Sequence, residues 1–156
     1  MMPRRTVNTL LIDADEMVAA LENHDDESQY FLDLRTGEIL LLIDESIVGP
    51  NDDLEMQLEA EPDRYREINP ISSSDAWQVM ADFIEQLPDG EAGQMLARAV
   101  GLNHPFRRFK DILLDYPKIR EQWFVFHERA MLELVRKWLE EEGIEADLKL
   151  RVEDKA

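Results

Sequence analysis

Gln29-Tyr30-Phe31-Leu32-Asp33-Leu34-Arg35-Thr36-Gly37-Glu38-Ile39-Leu40-Leu41-Leu42-Ile43-Asp44 reads as two strands folded back on each other. Pairing Tyr30–Arg35 with Glu38–Ile43 across Thr36-Gly37 puts Tyr30, Leu32, Leu34, Ile39, Leu41 and Ile43 on one face, because side chains alternate along a strand. An unbroken apolar face of this kind must be buried. The opposite face carries Phe31, Asp33, Arg35, Glu38, Leu40 and Leu42, with Arg35 facing Glu38 beside the turn as a cross-strand ion pair.

Before the hairpin, residues 1 to 12 show no clear period and read as an arm or a short edge segment. The first helix begins at Asp13, whose carboxylate can accept from first-turn amides while Glu16 reaches back, as in a capping box. Met17, Val18 and Leu21 share a face of it, and it ends near Asn23. After the hairpin, Glu45 to Asp63 is acidic and irregular, with a turn at Gly49-Pro50-Asn51-Asp52. Leu54, Met56 and Leu58 alternate as in a short strand, with a loose helical turn as the alternative. Tyr65-Arg66-Glu67-Ile68 reads as a further short strand, closed by the restriction Pro70 places on its predecessor.

Beyond Pro70 the apolar period becomes helical. Ser72-Ser73-Ser74-Asp75 offers several N-caps, and Trp77, Met80, Ala81, Ile84 and Leu87 form one stripe before Pro88-Asp89-Gly90. A second helix runs from about Glu91 to Val100 and stops at Gly101 as a left-handed cap. The third starts with Asn103 or His104 as cap and Pro105 as first helical residue, where the missing N–H costs nothing. Phe106, Phe109, Leu113 and Tyr116 follow at spacings of three and four as its buried edge, while Arg107, Arg108 and Lys110 project elsewhere. Pro117 opens the last helix, with Trp123, His127, Met131, Leu134 and Trp138 inward and Gly143 as its stop. Leu148, Leu150 and Val152 alternate with charges as a closing edge strand.

These elements make an α+β fold, a small antiparallel sheet built on the N-terminal hairpin packed against a C-terminal helical layer. At 156 residues and 44% apolar content, one domain over 1–156 is expected, with an acidic half at 1–70 and a mainly helical half at 71–156. Without cysteine there is neither a disulfide framework nor a thiolate metal site. Arg4-Arg5 is followed by an apolar run that stops at Asp13, too short for a signal-peptide core, so the chain is expected to be unprocessed and cytoplasmic. No apolar stretch approaches the roughly 18 residues of a membrane span.

The formal charge of −18 opposes non-specific attraction to nucleic acid or anionic membrane. It is also unevenly spread: residues 1–62 hold 16 Asp or Glu against three Arg, whereas residues 104–120 hold five Arg or Lys against two Asp. Any nucleic-acid role would therefore be confined to a local patch.

Tyr30-Phe31-Leu32-Asp33, Thr36-Gly37-Glu38-Ile39, Phe106-Arg107-Arg108-Phe109-Lys110-Asp111, Trp123-Phe124 and Trp138-Leu139 before Gly143-Ile144 together resemble the bacterial uncharacterised protein family 0158. The resemblance covers most of the chain from the hairpin to the last helix. Where the family pattern has small residues such as Gly-Ala just before the first Phe, this chain has His104-Pro105. The resemblance implies a bacterial cytoplasmic protein and brings no assigned activity.

The candidate site is His104, Arg107, Arg108 and Lys110. Free amides at a helix start favour an anion, and two guanidinium forks suit phosphate or carboxylate. The alternative is that these cations pair with the protein's own acids, Arg107 with Asp111 at i,i+4. His127 reads as a hydrogen-bonded core residue and His24 as a loop residue without a role. No His-x-x-x-His, Gly-x-Ser-x-Gly or phosphate-binding glycine motif is present, so no catalytic residue, metal or cofactor is expected. The leading expectation is a non-catalytic binding or regulatory protein presenting the basic helix to a protein or phosphate-bearing partner. Two others stand beside it: a metal-dependent hydrolase or nuclease using Asp33 with Asp44 or Asp52-Asp53, and an acidic mimic of nucleic acid.

Overall fold

The computed structural model describes residues 10–43 and 52–150. The expected arm before residue 10, the turn at Gly49-Pro50-Asn51, Asp44 and Val152, and the side chains of Asp52 and Asp53, lie outside the described residues. Helices and a small antiparallel sheet make the α+β architecture, and the chain divides into two compact units.

The first unit gathers the described residues up to 70 together with those from 134 onward. It opens with β1 (Leu10–Asp13) and α1 (Ala14–Glu22). Asp13 caps α1 as its residue type requires, its carboxylate accepting from the Glu16 amide at 3.1 Å. Met17, Ala20 and Leu21 are buried along one side of this helix. Strand β1 pairs in parallel with β5 (Ala146–Lys149), Leu10 opposite Ala146 and Ile12 opposite Leu148. The two expected edge segments, far apart in sequence, are thus each other's partner.

The hairpin forms as β2 (Ser28–Asp33) and β3 (Ile39–Ile43), and β4 (Tyr65–Ile68) adds to the other side of β2, giving the order β3-β2-β4, all antiparallel. The register differs from the expected one. Tyr30 faces Leu41 and Leu32 faces Ile39, a register two residues from the one a Thr36-Gly37 turn would set, and Leu34–Glu38 become a five-residue loop. Because the shift is two, Tyr30, Leu32, Ile39, Leu41 and Ile43 keep to one face. Only Leu32 of that set is fully buried, and Leu41 is exposed. Arg35 now sits in the loop and pairs with Glu61 at 2.8 Å instead of with Glu38.

Gly37 has φ 85°, and a Cβ there would stand 2.5 Å from the Leu11 carbonyl oxygen. The loop therefore approaches β1 at a point that only glycine permits. Leu54, Met56 and Leu58 lie in a helix, α2 (Asp52–Ala60), not a strand, and a 3₁₀ turn at Pro62–Arg64 leads into β4. Arg66 of β4 hydrogen-bonds the carboxylate of Glu142, tying the strand to the residue after the last helix.

The second unit, 71–133, is helical. It holds α3 (Ser73–Gln86), α4 (Glu91–Val100), α5 (Pro105–Leu113) and the first part of α6 (Pro117–Glu141). Ser72 caps α3 through its hydroxyl, which accepts from the Asp75 amide at 3.0 Å. Of the expected stripe Trp77, Met80, Ala81, Ile84 and Leu87, Met80 is buried and Ala81, Ile84 and Leu87 are half-buried. The fully buried line is rotated to Val79, Met80 and Phe83, and Trp77 remains exposed while its indole N–H donates to the Val100 carbonyl.

Phe83 explains the rotation. It packs edge-on to Phe109 and Trp123 at centroid distances of 6.4 and 5.3 Å and lies 5.3 Å from Phe126, so its ring, and not the larger indole of Trp77, takes the centre of an aromatic cluster. Met80, Leu96, Val100 and Leu113 complete this core. On α6 the buried positions are Met131, Val135 and Leu139, with Leu134 and Trp138 half-buried, and Gly143 with φ 73° follows its end.

Candidate functional site

Helix α5 is where the acidic trend of the chain breaks, and its geometry begins one residue earlier. Gly101 does not take the left-handed conformation expected of it, lying at φ −91° and ψ 0°. That conformation falls on His104, at φ 52° and ψ 52°. A residue before proline is pushed away from the right-handed helical region, and a left-handed residue turns the chain sharply into Pro105. The conformation costs an L-residue about 1 kcal/mol or more. His104 occupies the cap position without a side-chain capping bond, and its carbonyl accepts from the Arg108 amide at 3.1 Å.

The four candidate residues are exposed but not equivalent. Arg108 folds back on the turn, its Nε donating to the Asn103 carbonyl at 2.7 Å and its Nη2 to the Asn103 side-chain oxygen at 3.0 Å. Its fork braces the Asn103–His104 turn. Arg107 and Lys110 have no hydrogen-bond or salt-bridge partner among the described residues, and no ion pair joins Arg107 to Asp111.

The apolar side of α5 also differs from expectation. Phe109 and Leu113 are buried, Phe109 standing 4.8 Å from the Trp123 ring, but Phe106 is 38% exposed. The helix ends at Leu113, so Tyr116 leaves the helical spacing, and its hydroxyl reaches the Met95 sulfur at 3.4 Å. Burial, reinforced by the negative charges of Glu91 and Asp115, pushes the Tyr116 phenol up. Leu114, just past the helix, is 64% exposed.

Asp33, expected on an exposed hairpin face, is 2% exposed. Its Oδ1 accepts from the amides of Arg35 and Thr36 at 2.8 and 3.3 Å and from Arg64 Nε at 3.0 Å, and its Oδ2 accepts from Arg64 Nη2 at 2.8 Å. Burial raises its pKa, but the Arg64 guanidinium and the loop amides outweigh that and hold it at about 2. Arg64 also donates to Glu61 at 3.0 Å, and the two arginines together draw the Glu61 carboxyl below its usual range.

Four hydrogen bonds, two of them from one guanidinium, hold this carboxylate in place, and no cluster of three potential metal ligands occurs among the described residues. Nothing among the described residues supports the hydrolase reading: Asp44 and the side chains of Asp52 and Asp53 lie outside them, and Asp33 is held in a structural ion pair. Nothing in the local sequence pointed to this: Arg64 lies 31 residues away and meets Asp33 only because β4 pairs with β2. His127 is half-buried with its ring 5.1 Å from Trp123, and His24 lies exposed in its loop with Nδ1 3.1 Å from the Glu22 carbonyl.

Comparison with known proteins adds the context. Residues 7–153 match the family model of an uncharacterised protein family, UPF0158. The UPF0158 protein PA5073 of Pseudomonas aeruginosa is 32% identical over 136 residues, covering 87% of this chain and 86% of that protein. A UPF0158 protein of Chlamydia trachomatis is 25% identical over 134 residues, covering 85% of this chain and 40% of that protein, and one of Chlamydia muridarum is similar to the same extent. No solved structure matches.

Proposed function

This chain belongs to the uncharacterised protein family UPF0158, and from that premise we propose that it is a non-catalytic binding or regulatory protein that presents α5 to an anionic partner. The observation that carries this reading is the state of Arg107 and Lys110. In a chain with 35 acidic and 17 basic residues, both cations are exposed and neither is neutralised by a described acid. Arg108 supports them by bracing the turn from which the helix starts, and His104 brings an imidazole to the same end.

The field of the whole chain shapes how a partner would be met. With a net charge of −18, long-range steering of an anion is unfavourable, so recognition is confined to short range, within roughly the 8 Å screening length at physiological salt. A cytoplasmic setting fits a chain without cysteine, and among the described residues no helix is long and apolar enough to cross a membrane.

The test is a thermal-shift and NMR titration of the protein with inorganic phosphate, a short oligonucleotide and an acidic peptide pool, beside an Arg107→Glu/Lys110→Glu variant. Salt-sensitive binding that the variant loses while retaining its own melting profile is expected. Binding that is unchanged in the variant, or perturbations that map away from α5, would remove the proposal.

A further inference from the structure

The outward side of α5 carries more than charge. Phe106, Lys110 and Leu114 follow at intervals of four, and Arg107 stands three residues before Lys110, so these side chains lie along one ridge about 12 Å long. Phe106 is 38% and Leu114 64% exposed, and neither cation between them has a partner among the described residues. Behind the ridge, Phe109 and Leu113 are buried in the aromatic core, which fixes the helix's rotation and keeps the ridge outward.

Resting on the reading of α5 as an anion-facing helix, we propose that this ridge docks an acidic amphipathic segment of a partner protein. Its carboxylates would meet Arg107 and Lys110, and its apolar side chains would cover Phe106 and Leu114. Charge complementarity selects the occupant. The ridge is a cationic island on a chain of net charge −18, so it favours a short acidic segment over the dense charge of a nucleic-acid backbone. The apolar pair makes the same choice. Phosphate recognition uses donors only, and a base-stacking surface uses aromatic faces, whereas Leu114 is an exposed aliphatic side chain that gains by covering with another apolar group. Alternating apolar and cationic contacts along one helix face are the complement of a peptide with acidic and apolar residues interleaved.

The experiment is a selection from a display library of short random peptides on the immobilised full chain, followed by fluorescence anisotropy with the enriched peptides made synthetically. Fluorescein-labelled oligothymidylate and inorganic phosphate serve as parallel probes. Enriched peptides are expected to interleave Asp or Glu with large apolar residues. Their affinity should fall about tenfold or more in Leu114→Ser and, separately, in Arg107→Glu/Lys110→Glu. Leu114 is mostly in solvent, so Leu114→Ser keeps the fold, and circular dichroism verifies it.

Failure to enrich, enrichment of non-acidic peptides, or affinity that Leu114→Ser leaves unchanged would overturn the proposal. If oligothymidylate or phosphate binds, is lost in the charge variant and is untouched by Leu114→Ser, the anion-binding reading stands and the peptide inference falls. If no probe responds to the charge variant, both fall.

Discussion

Replacing Arg64 by methionine keeps most of the apolar stem and removes the guanidinium that holds both oxygens of Asp33. The pKa of Asp33, brought from 3.8 to about 2, corresponds to roughly 2 kcal/mol of stabilisation when the carboxylate is ionised. Without Arg64 the loop amides of Arg35 and Thr36 still bind the carboxylate, but burial then raises its pKa unopposed by a positive charge. Breaking a buried pair by removing one partner costs about 3–5 kcal/mol, and the amides that remain place this case near 2–3 kcal/mol.

The sign follows from the depressed pKa. The folded protein binds the Asp33 proton less readily than the unfolded chain, so this stabilisation is fully present above about pH 5 and is lost as pH falls through about 4 towards 2. The assay is urea denaturation followed by far-UV circular dichroism, at steps between about pH 7 and pH 2, for the natural sequence and Arg64→Met. The gap should be widest near neutrality and close progressively below about pH 4. A loss at neutral pH under about 0.5 kcal/mol, the scale of an exposed ion pair, would refute the reasoning, as would a gap that does not change with pH.

Three further outcomes are expected. Phe83→Ala removes the ring at the centre of the aromatic cluster and should cost about 3–5 kcal/mol, read by chemical denaturation with tryptophan fluorescence. Gly37→Ala drives a Cβ to 2.5 Å from the Leu11 carbonyl at positive φ and should destabilise by more than about 1 kcal/mol, with faster amide exchange in β1 and the hairpin as its local signature. His104→Gly removes the strain of a left-handed L-residue that has no capping bond to lose, and should raise the melting temperature by about 2 °C, whereas His104→Val should lower it.

Much of the architecture was legible because short-range rules act through neighbours in sequence. Asp13 and Ser72 cap their helices, Pro105 and Pro117 open theirs, Gly143 follows the end of α6, and Tyr65–Ile68 is a strand. The parity of the hairpin was equally readable, since a register shift of two leaves every side chain on its face. At the candidate site the sequence alone put Arg107 and Lys110 outward, away from Phe109 and Leu113.

Tertiary structure decided what parity and capping leave open. Two registers put the same residues on one face, and the one adopted is that in which Asp33 receives the loop amides and then Arg64 from the turn before β4. The same long-range pairing changes Asp33 from a surface carboxylate into a buried one. Helix α3 has apolar residues on more than one side, and only packing against Phe109 and Trp123 selects Phe83 over Trp77 as the inward residue. The parallel pairing of β1 with β5 joins segments more than a hundred residues apart, and Arg108 turns to Asn103 because the left-handed His104 brings that carbonyl within reach. Caps and periodicity are energies of adjacent residues and travel with the sequence. Register, burial of a charge and the choice of inward face depend on groups that only the folded chain brings together.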